Sequence, residues 1–534
     1  MPNYYNLVQE QKGNPVVRTS QDLRTNQTEL DKRMQIDADL LHLDKYYIKD
    51  SSGKKVPDII NVTLNRPAVF AANVIASLGS ARQQVEVTSE DEQVDTKYIE
   101  DFLTGIQKMM DRLLLKKGLQ TLNIFTDVQL CLRGRTARRV LLIRDKITGV
   151  ILPNIKSWDG RYVYYEQGEE GLEWAAYETV RSRDEVMSDY GEVAAAKAIN
   201  KECAVLDVWN KETNEVWIDG VKVVDEGIPF PGTTPVVLSI VSLGYGAMLL
   251  DRNWQKYDGE SIFFMIRDIV PELNRLTSIL QTLNMNELKR ALQYKNPAGS
   301  PQDEPPDRPA MGDMISVGAG AIEPINLGDA RQAAQMLFGI MEKAFQEGSY
   351  TDIDIGNVQQ PFSAVALVAI GENKDMVYLP RLAAKELLNQ GQAEMLIQQA
   401  LKLGGSIEVG APGHKRKFNT SKLQGEYDIE YKYFVKSPKT DIARMSLAAA
   451  AAQWYPRSFI YSDVLQVEDP VGLLREWYKE EAERLSPGVK MHRIIESLLE
   501  QAEKKNDPDS AREAQIIATE MGMTFEQMKA GVMP

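Results

Sequence analysis

Asp352 and Asp354 are the one carboxylate pair whose spacing invites chemistry. Two carboxylates one residue apart can hold Mg²⁺ for a two-metal nuclease. Such a centre needs further acidic ligands from other elements, and the same pattern is common in plain polar loops. The densest basic cluster is Arg133, Arg135, Arg138, Arg139, Arg144 and Lys146. It would suit packed DNA or an acidic partner through charge-assisted hydrogen bonds. The alternatives are a solvated strand edge or an intersubunit salt-bridge surface. The single Gly-Lys step, Gly53-Lys54, is followed by Lys55 and has no upstream phosphate-loop glycine, so it reads as a turn. There is no Gly-x-Ser-x-Gly elbow, and His42, His414 and His492 are isolated, so nucleophilic hydrolysis has little to draw on. No catalytic residue, metal or cofactor is therefore expected.

Cys131 and Cys203 are the only cysteines. They exclude a disulfide scaffold and, with so few histidines, a structural zinc site, and they fit a reducing compartment. The chain has 534 residues and a net charge of −14, so a generic basic nucleic-acid binder is not expected. The start, MPNYYNLVQEQKGNP, has no basic stretch followed by an apolar run, so no secretory leader is expected. No apolar stretch approaches membrane length, so no membrane partner is expected.

The elements that must carry these residues read as an α+β protein. Residues 1–27 form a polar arm. A helix is expected from about residue 28. Another is expected after Pro67, which suits a first helical turn, and a third over about 93–117. From about 137 to 240 short β segments dominate, with a hairpin turn at Asp219-Gly220. Over 258–293, Ile262, Ile266, Ile269, Leu273, Leu276, Leu280 and Leu283 recur in steps of four and three. That spacing predicts one long helix with a heptad seam, bent at Pro271. No equally regular partner for the seam is visible elsewhere in the chain, so packing against a neighbouring copy is the working expectation. Prolines at 297, 301, 305, 306, 309 and 324 break the next stretch into a linker or a projecting loop-and-strand module. Helices follow over 329–347 and 364–403, the second bent by Pro380 and capped by Ser363. The remainder is a β segment near 425–438 and then helices.

This order resembles the portal, or head-to-tail connector, proteins of tailed bacteriophages. Three stretches carry the resemblance: INVTLNRPAVFAANVIASLGSARQQVEV, GESIFFMIRDIVPELNRLTSILQTLNMNELKRA with its Asn274-x-x-x-Ser278 step, and DIARMSLAAAAAQWYPRSFIYSDVLQVEDPVGLLREWYKEEAERL. The third has Tyr461-Ser462-Asp463 where many portals have a Ser-x-Glu-Thr-like step. The resemblance implies a wing over 28–257 and 364–485, stem helices over 258–292 and 328–348, a clip over 293–327, a tunnel loop over 349–363 and a crown over 486–534. It implies a non-enzymatic ring, usually of twelve copies, at one capsid vertex of a virion assembled in the host cytoplasm. Its partners would be other copies of itself, the major capsid protein, the terminase large subunit, a head-tail adaptor and the double-stranded DNA passing through. Asn357, Gln359, Gln360 and Phe362 would face that DNA. Asp303, Glu304, Asp307, Arg308 and Asp313 would face the motor or adaptor. The seven seam aliphatics would pack between copies, and Arg133, Arg135, Arg138 and Arg139 would be a possible basic patch. Net acidity suits a channel that must let a polyanion slide without gripping it. The competing expectations are a metal-dependent nuclease or other DNA-processing enzyme, and an adaptor or scaffold with no channel.

Overall fold

Local chemistry sets several element ends. Asp95 caps a helix by accepting the N–H of Tyr98. Ser182 and Glu185 close a reciprocal capping box. Pro67 sits in the opening turn of its helix. Asp219 and Gly220 have φ of 46° and 81°, the left-handed pair that a two-residue hairpin requires.

The computed structural model describes residues 24–25, 27–91, 93–144, 150–168, 171–192, 196, 201–241, 258–288, 292–295, 321–324, 331–349, 364–410, 413, 415–434, 438–465, 467, 470–505 and 508–520. The helices used below are α1 (Thr28–His42), α2 (Arg66–Ser80), α3 (Thr96–Lys116), α4 (Leu122–Leu132), α5 (Arg183–Tyr190), α6 (Ile269–Leu288), α7 (Arg331–Gly348), α8 (Ala364–Leu403), α9 (Pro438–Ala451), α10 (Pro470–Leu485), α11 (Pro487–Lys505) and α12 (Pro508–Glu520). The strands are β1 (Arg82–Thr88), β2 (Arg135–Arg144), β3 (Ile151–Asp159), β4 (Val163–Gly168), β5 (Gly171–Ser182), β6 (Glu202–Asn210), β7 (Thr213–Ile218), β8 (Val221–Gly227), β9 (Val236–Ile240), β10 (Leu292–Lys295), β11 (Ala321–Pro324), β12 (Ser406–Val409), β13 (Arg416–Asn419) and β14 (Asp428–Phe434). The mixture of helices with antiparallel sheets is the expected α+β class.

The chain divides into two units, at Val435 and Lys436. In the first, β4 to β8 form an antiparallel meander in sequence order, and β2 lies between β3 and β9 in a separate sheet. β1 pairs with the distant β14, from Arg82 opposite Phe434 to Thr88 opposite Asp428. One core joins Phe102 and Ile106 of α3 to Val140 of β2, Leu396 of α8 and Tyr431 of β14. Another joins Phe70 and Val74 of α2 to Phe263, Ile266, Leu273 and Phe345. A third holds Trp158, Tyr165 and Trp209 between the sheets. Gly134 and Gly259, both at positive φ, let two chain segments touch backbone to backbone. A Cβ on Gly134 would lie 2.4 Å from the Glu260 nitrogen. In the second unit, α11 and α12 pack through Ile495, Ala514 and Ala518, and the Arg457 guanidinium lies 3.6 Å over the Trp477 ring.

One expected element changes character. The heptad spacing predicts a single helix over 258–293 with a bend at Pro271. The structure instead has turns over 262–268 and begins α6 at Ile269. Pro271 thus falls in the first turn, where its missing N–H breaks no bond. In α8, Pro380 does lie inside the helix. The proposed cap Ser363 lies outside the described residues.

Candidate functional site

One helical hairpin is built from α6, β10, β11 and α7. The two strands pair antiparallel, from Leu292 opposite Pro324 to Lys295 opposite Ala321. Gly348, at the end of α7, packs on Ile266 just ahead of α6, so the helices run antiparallel. One side of α6 carries Asn274, Ser278 and Thr282 at four-residue spacing. Asn274 Oδ1 accepts the N–H of Leu64 (2.9 Å), Ser278 Oγ that of Val62 (2.9 Å) and Thr282 Oγ1 that of Ile60 (3.0 Å). Two residues of extended chain span about 6.7 Å and four residues of helix about 6 Å, so the two repeats stay in step over three bonds. On the other side of the same segment, Asn61 and Thr63 accept the N–H groups of Ile48 and Tyr46. The Asn274-x-x-x-Ser278 step therefore docks the segment leading into α2 onto α6.

The seam residues divide. Ile262, Ile266, Leu273 and Leu276 are 0–6% exposed, and three of them join the core shared with α2 and Phe345. The partner that the sequence did not reveal is within the same chain, so these four have no surface left for a neighbouring copy. Ile269, Leu280 and Leu283 are half-buried. The outward side of α7 is apolar instead, with Met336 73% and Ile340 57% exposed.

Four members of the basic cluster are corrected; Arg144 is exposed and Lys146 lies outside the described residues. Arg135 and Arg138 are fully buried, and Arg139 nearly so. Arg135 donates to Asp258 Oδ2 (3.0 Å) and to the Gly160 carbonyl (2.9 Å), and the Tyr165 hydroxyl donates to the same Asp258 oxygen (2.6 Å). Arg138 donates to Asn389 Oδ1 (2.6 Å), Gln392 Oε1 (2.8 Å) and Thr126 Oγ1 (2.6 Å). Burial pulls its pKa down to about 10. Arg139 donates to Asn154 and lies against the Trp209 ring. Arg133 donates to the Met34 carbonyl (2.8 Å) and lies 3.4 Å from Asp159. These arginines join elements inside the fold and offer nothing to a polyanion. The physical reason is that β2 is the central strand of its sheet, covered by α4 and α8 on one side. Arg138 reaches polar groups on those two helices, while Arg135 and Arg139 reach Asp258, the Gly160 carbonyl and Asn154 instead.

Sequence reading missed the polar stripe on α8 that receives Arg138. Lys385 lies 2.7 Å from Asp127, both nearly fully buried. Burial pushes the Asp127 carboxyl up and the Lys385 ammonium down, and their mutual attraction opposes both shifts. Asn389 also hydrogen-bonds the Tyr433 hydroxyl. Gln399 accepts the Leu142 N–H (2.7 Å) and donates to the Val140 carbonyl (2.9 Å). The available signal was the helical spacing of Lys385, Asn389, Gln392 and Gln399. A second hub lies ahead of α6, where Arg267 donates to both oxygens of Asp37 (2.7 and 2.9 Å) and to Glu260 (3.0 Å). Burial lowers the Arg267 pKa, but these acidic partners outweigh it and hold it above the ordinary arginine value.

The tunnel-loop residues Asn357, Gln359, Gln360 and Phe362, the clip residues Asp303, Glu304, Asp307, Arg308 and Asp313, and the pair Asp352 and Asp354 lie outside the described residues. Among the described residues, no three His, Cys, Asp or Glu side chains gather as a metal-binding group, and no helix is long and apolar enough to cross a membrane. No protein-family model matches the chain, and no curated protein sequence matches it.

Proposed function

We propose that this chain is the subunit of a portal: a ring of identical copies, with twelve as the expected number, at one vertex of a phage capsid. The terminase motor would drive double-stranded DNA in through its channel, and the DNA would later leave by the same route. The observation that carries the reading is the helix–strand–strand–helix hairpin α6–β10–β11–α7, placed between β-rich wing segments and followed by the long, proline-interrupted α8. The docking role of Asn274 and Ser278 supports it, because these are the positions through which the sequence resembles the family's stem. The exposed Met336 and Ile340 on α7 offer an apolar surface for lateral contact between copies. A closed ring needs such a face on each copy, meeting a different face of the next.

On this reading the protein makes and breaks no bonds. The clip would meet the terminase and later an adaptor, the wing would meet the major capsid protein, and the net charge of −14 would limit gripping of the duplex. Electron micrographs of the purified protein, with light scattering after size exclusion, test it. Rings with a central hole are expected. Particles that stay monomeric or dimeric at all concentrations overturn it in favour of an adaptor without a channel. Mg²⁺-dependent DNA cleavage that is lost in Asp352→Ala with Asp354→Ala overturns it in favour of a nuclease. Deleting about residues 300–320 should leave rings intact and abolish motor docking.

A further inference from the structure

β3 is the end strand of its sheet: it pairs with β2 and, among the described residues, with no strand on its other side. Its hydrogen-bonding parity is readable. The Val140 N–H donates to the Pro235 carbonyl, on the β9 side of β2. The odd-numbered residues of β2 must therefore bond β3, and they stand opposite its even-numbered residues: Leu141 faces Asn154 and Arg139 faces Lys156. The odd-numbered residues of β3 then point their backbone outward. Two facts agree. Asp159 sends its N–H away from β2 to the Tyr177 hydroxyl (3.3 Å), and Pro153, which has no N–H to offer, falls in the same set. The backbone groups of Ile155 and Ser157 are left facing outward.

They face a groove of about 980 Å³ that includes seven consecutive residues of β3, Leu152 to Trp158. One face of a strand contributes only alternate residues, so a consecutive run means that the groove follows the strand edge. Its two walls differ. Ile155 shares a core with Met110 and Leu122, so odd-numbered side chains face the apolar wall of α3 and α4. Trp158 stacks on Tyr177 at 5.1 Å, so even-numbered side chains, Lys156 among them, face the wall of β5 and β6. Lys156 and Lys117 are exposed in the groove, and neither has an ion pair among the described residues. Arg181 is already paired with Asp189 (2.6 Å). Asp207 is the one acidic residue lining the groove, so positive charge is in excess.

We propose that this edge accepts an added β-strand from a partner polypeptide: an extended segment of alternating apolar and acidic residues. Its backbone pairs with Ile155 and Ser157. Its apolar side chains fill the wall of α3 and α4, and its carboxylates meet Lys156. Alternating donors and acceptors along an edge call for a peptide backbone, and the apolar wall would leave a nucleic acid's phosphates unsolvated. The inference does not depend on the ring reading, since it concerns one chain's own edge.

The test uses the full-length protein and a fluorescein-labelled peptide of alternating Val and Glu, matched to the 9 residues of β3. Anisotropy should show saturable, salt-weakened binding, reduced about tenfold or more by Lys156→Glu and less by Lys156→Gln. Circular dichroism on both variants checks that the fold is kept. Residue-resolved hydrogen exchange should slow at Ile155 and Ser157 on binding and stay unchanged at Asn154 and Lys156, whose N–H groups already bond β2. No binding up to about 1 mM, equal binding of a Val-Lys peptide, or protection that ignores this alternation overturns the proposal.

Discussion

Ser278 Oγ accepts the N–H of Val62 at 2.9 Å while donating its own proton to the carbonyl of Asn274 at 2.7 Å. One hydroxyl therefore satisfies a buried turn of α6 and anchors the chain ahead of α2. Ser278→Ala should leave the Val62 N–H without an acceptor, at a cost of about 1–3 kcal/mol. Amide exchange should quicken at Val62 and Leu64 first. Unchanged exchange at both would mean that the segment is held by packing alone.

Asp127 and Lys385 make a second buried relationship with a sharper cost. Asp127→Ala leaves the ammonium buried and unpaired, and destabilisation of about 3–5 kcal/mol is expected. The double change Asp127→Ala with Lys385→Met should recover most of it. Denaturation midpoints of the two variants check this, and a double variant as unstable as the single would refute the pairing.

Arg138→Met should likewise destabilise strongly, by about 3 kcal/mol or more, because Thr126, Asn389 and Gln392 lose their shared donor. The same change should not alter affinity for DNA in a gel-shift assay. A selective loss of DNA binding, with stability kept, would restore the surface-patch reading.

Cys131 is fully buried, and burial pushes its thiol up to about 12 from an ordinary 9.0. A folded pKa above the unfolded one means that the native state holds the proton longer. This contribution to stability is complete below pH 9 and is lost as the pH rises toward 12, at roughly 1.4 kcal/mol per unit. Cys131→Ala should flatten that part of the alkaline unfolding profile. The native protein should also resist thiol reagents at pH 8, with both cysteines reacting only on unfolding.

Leu273 and Ile340 separate folding from assembly. Leu273 is 1% exposed and belongs to a core, whereas Ile340 is 57% exposed. Leu273→Asp should unfold the chain itself. Ile340→Asp should leave the circular dichroism unchanged and reduce the apparent mass by light scattering. A soluble, folded Leu273→Asp protein would contradict the core assignment.

Local patterns in the sequence were enough for much of this protein. Proline at a helix start and an aspartate-glycine turn each act over a few residues, so the helix near Pro67 and the hairpin at Asp219 were legible. So was the α+β class. Tertiary structure alone decided where the charges went. Arg135 and Arg138 read as surface residues by composition, yet both are buried, because α4 and α8 close over β2 and supply acceptors to Arg138, and the distant Asp258 supplies one to Arg135. The aliphatic spacing over 262–283 announced a seam, but periodicity names no partner, and the partner proved to be α2 and Phe345 of the same chain. The outward edge of β3 was equally silent, because hydrogen-bond parity exists only once strands have paired.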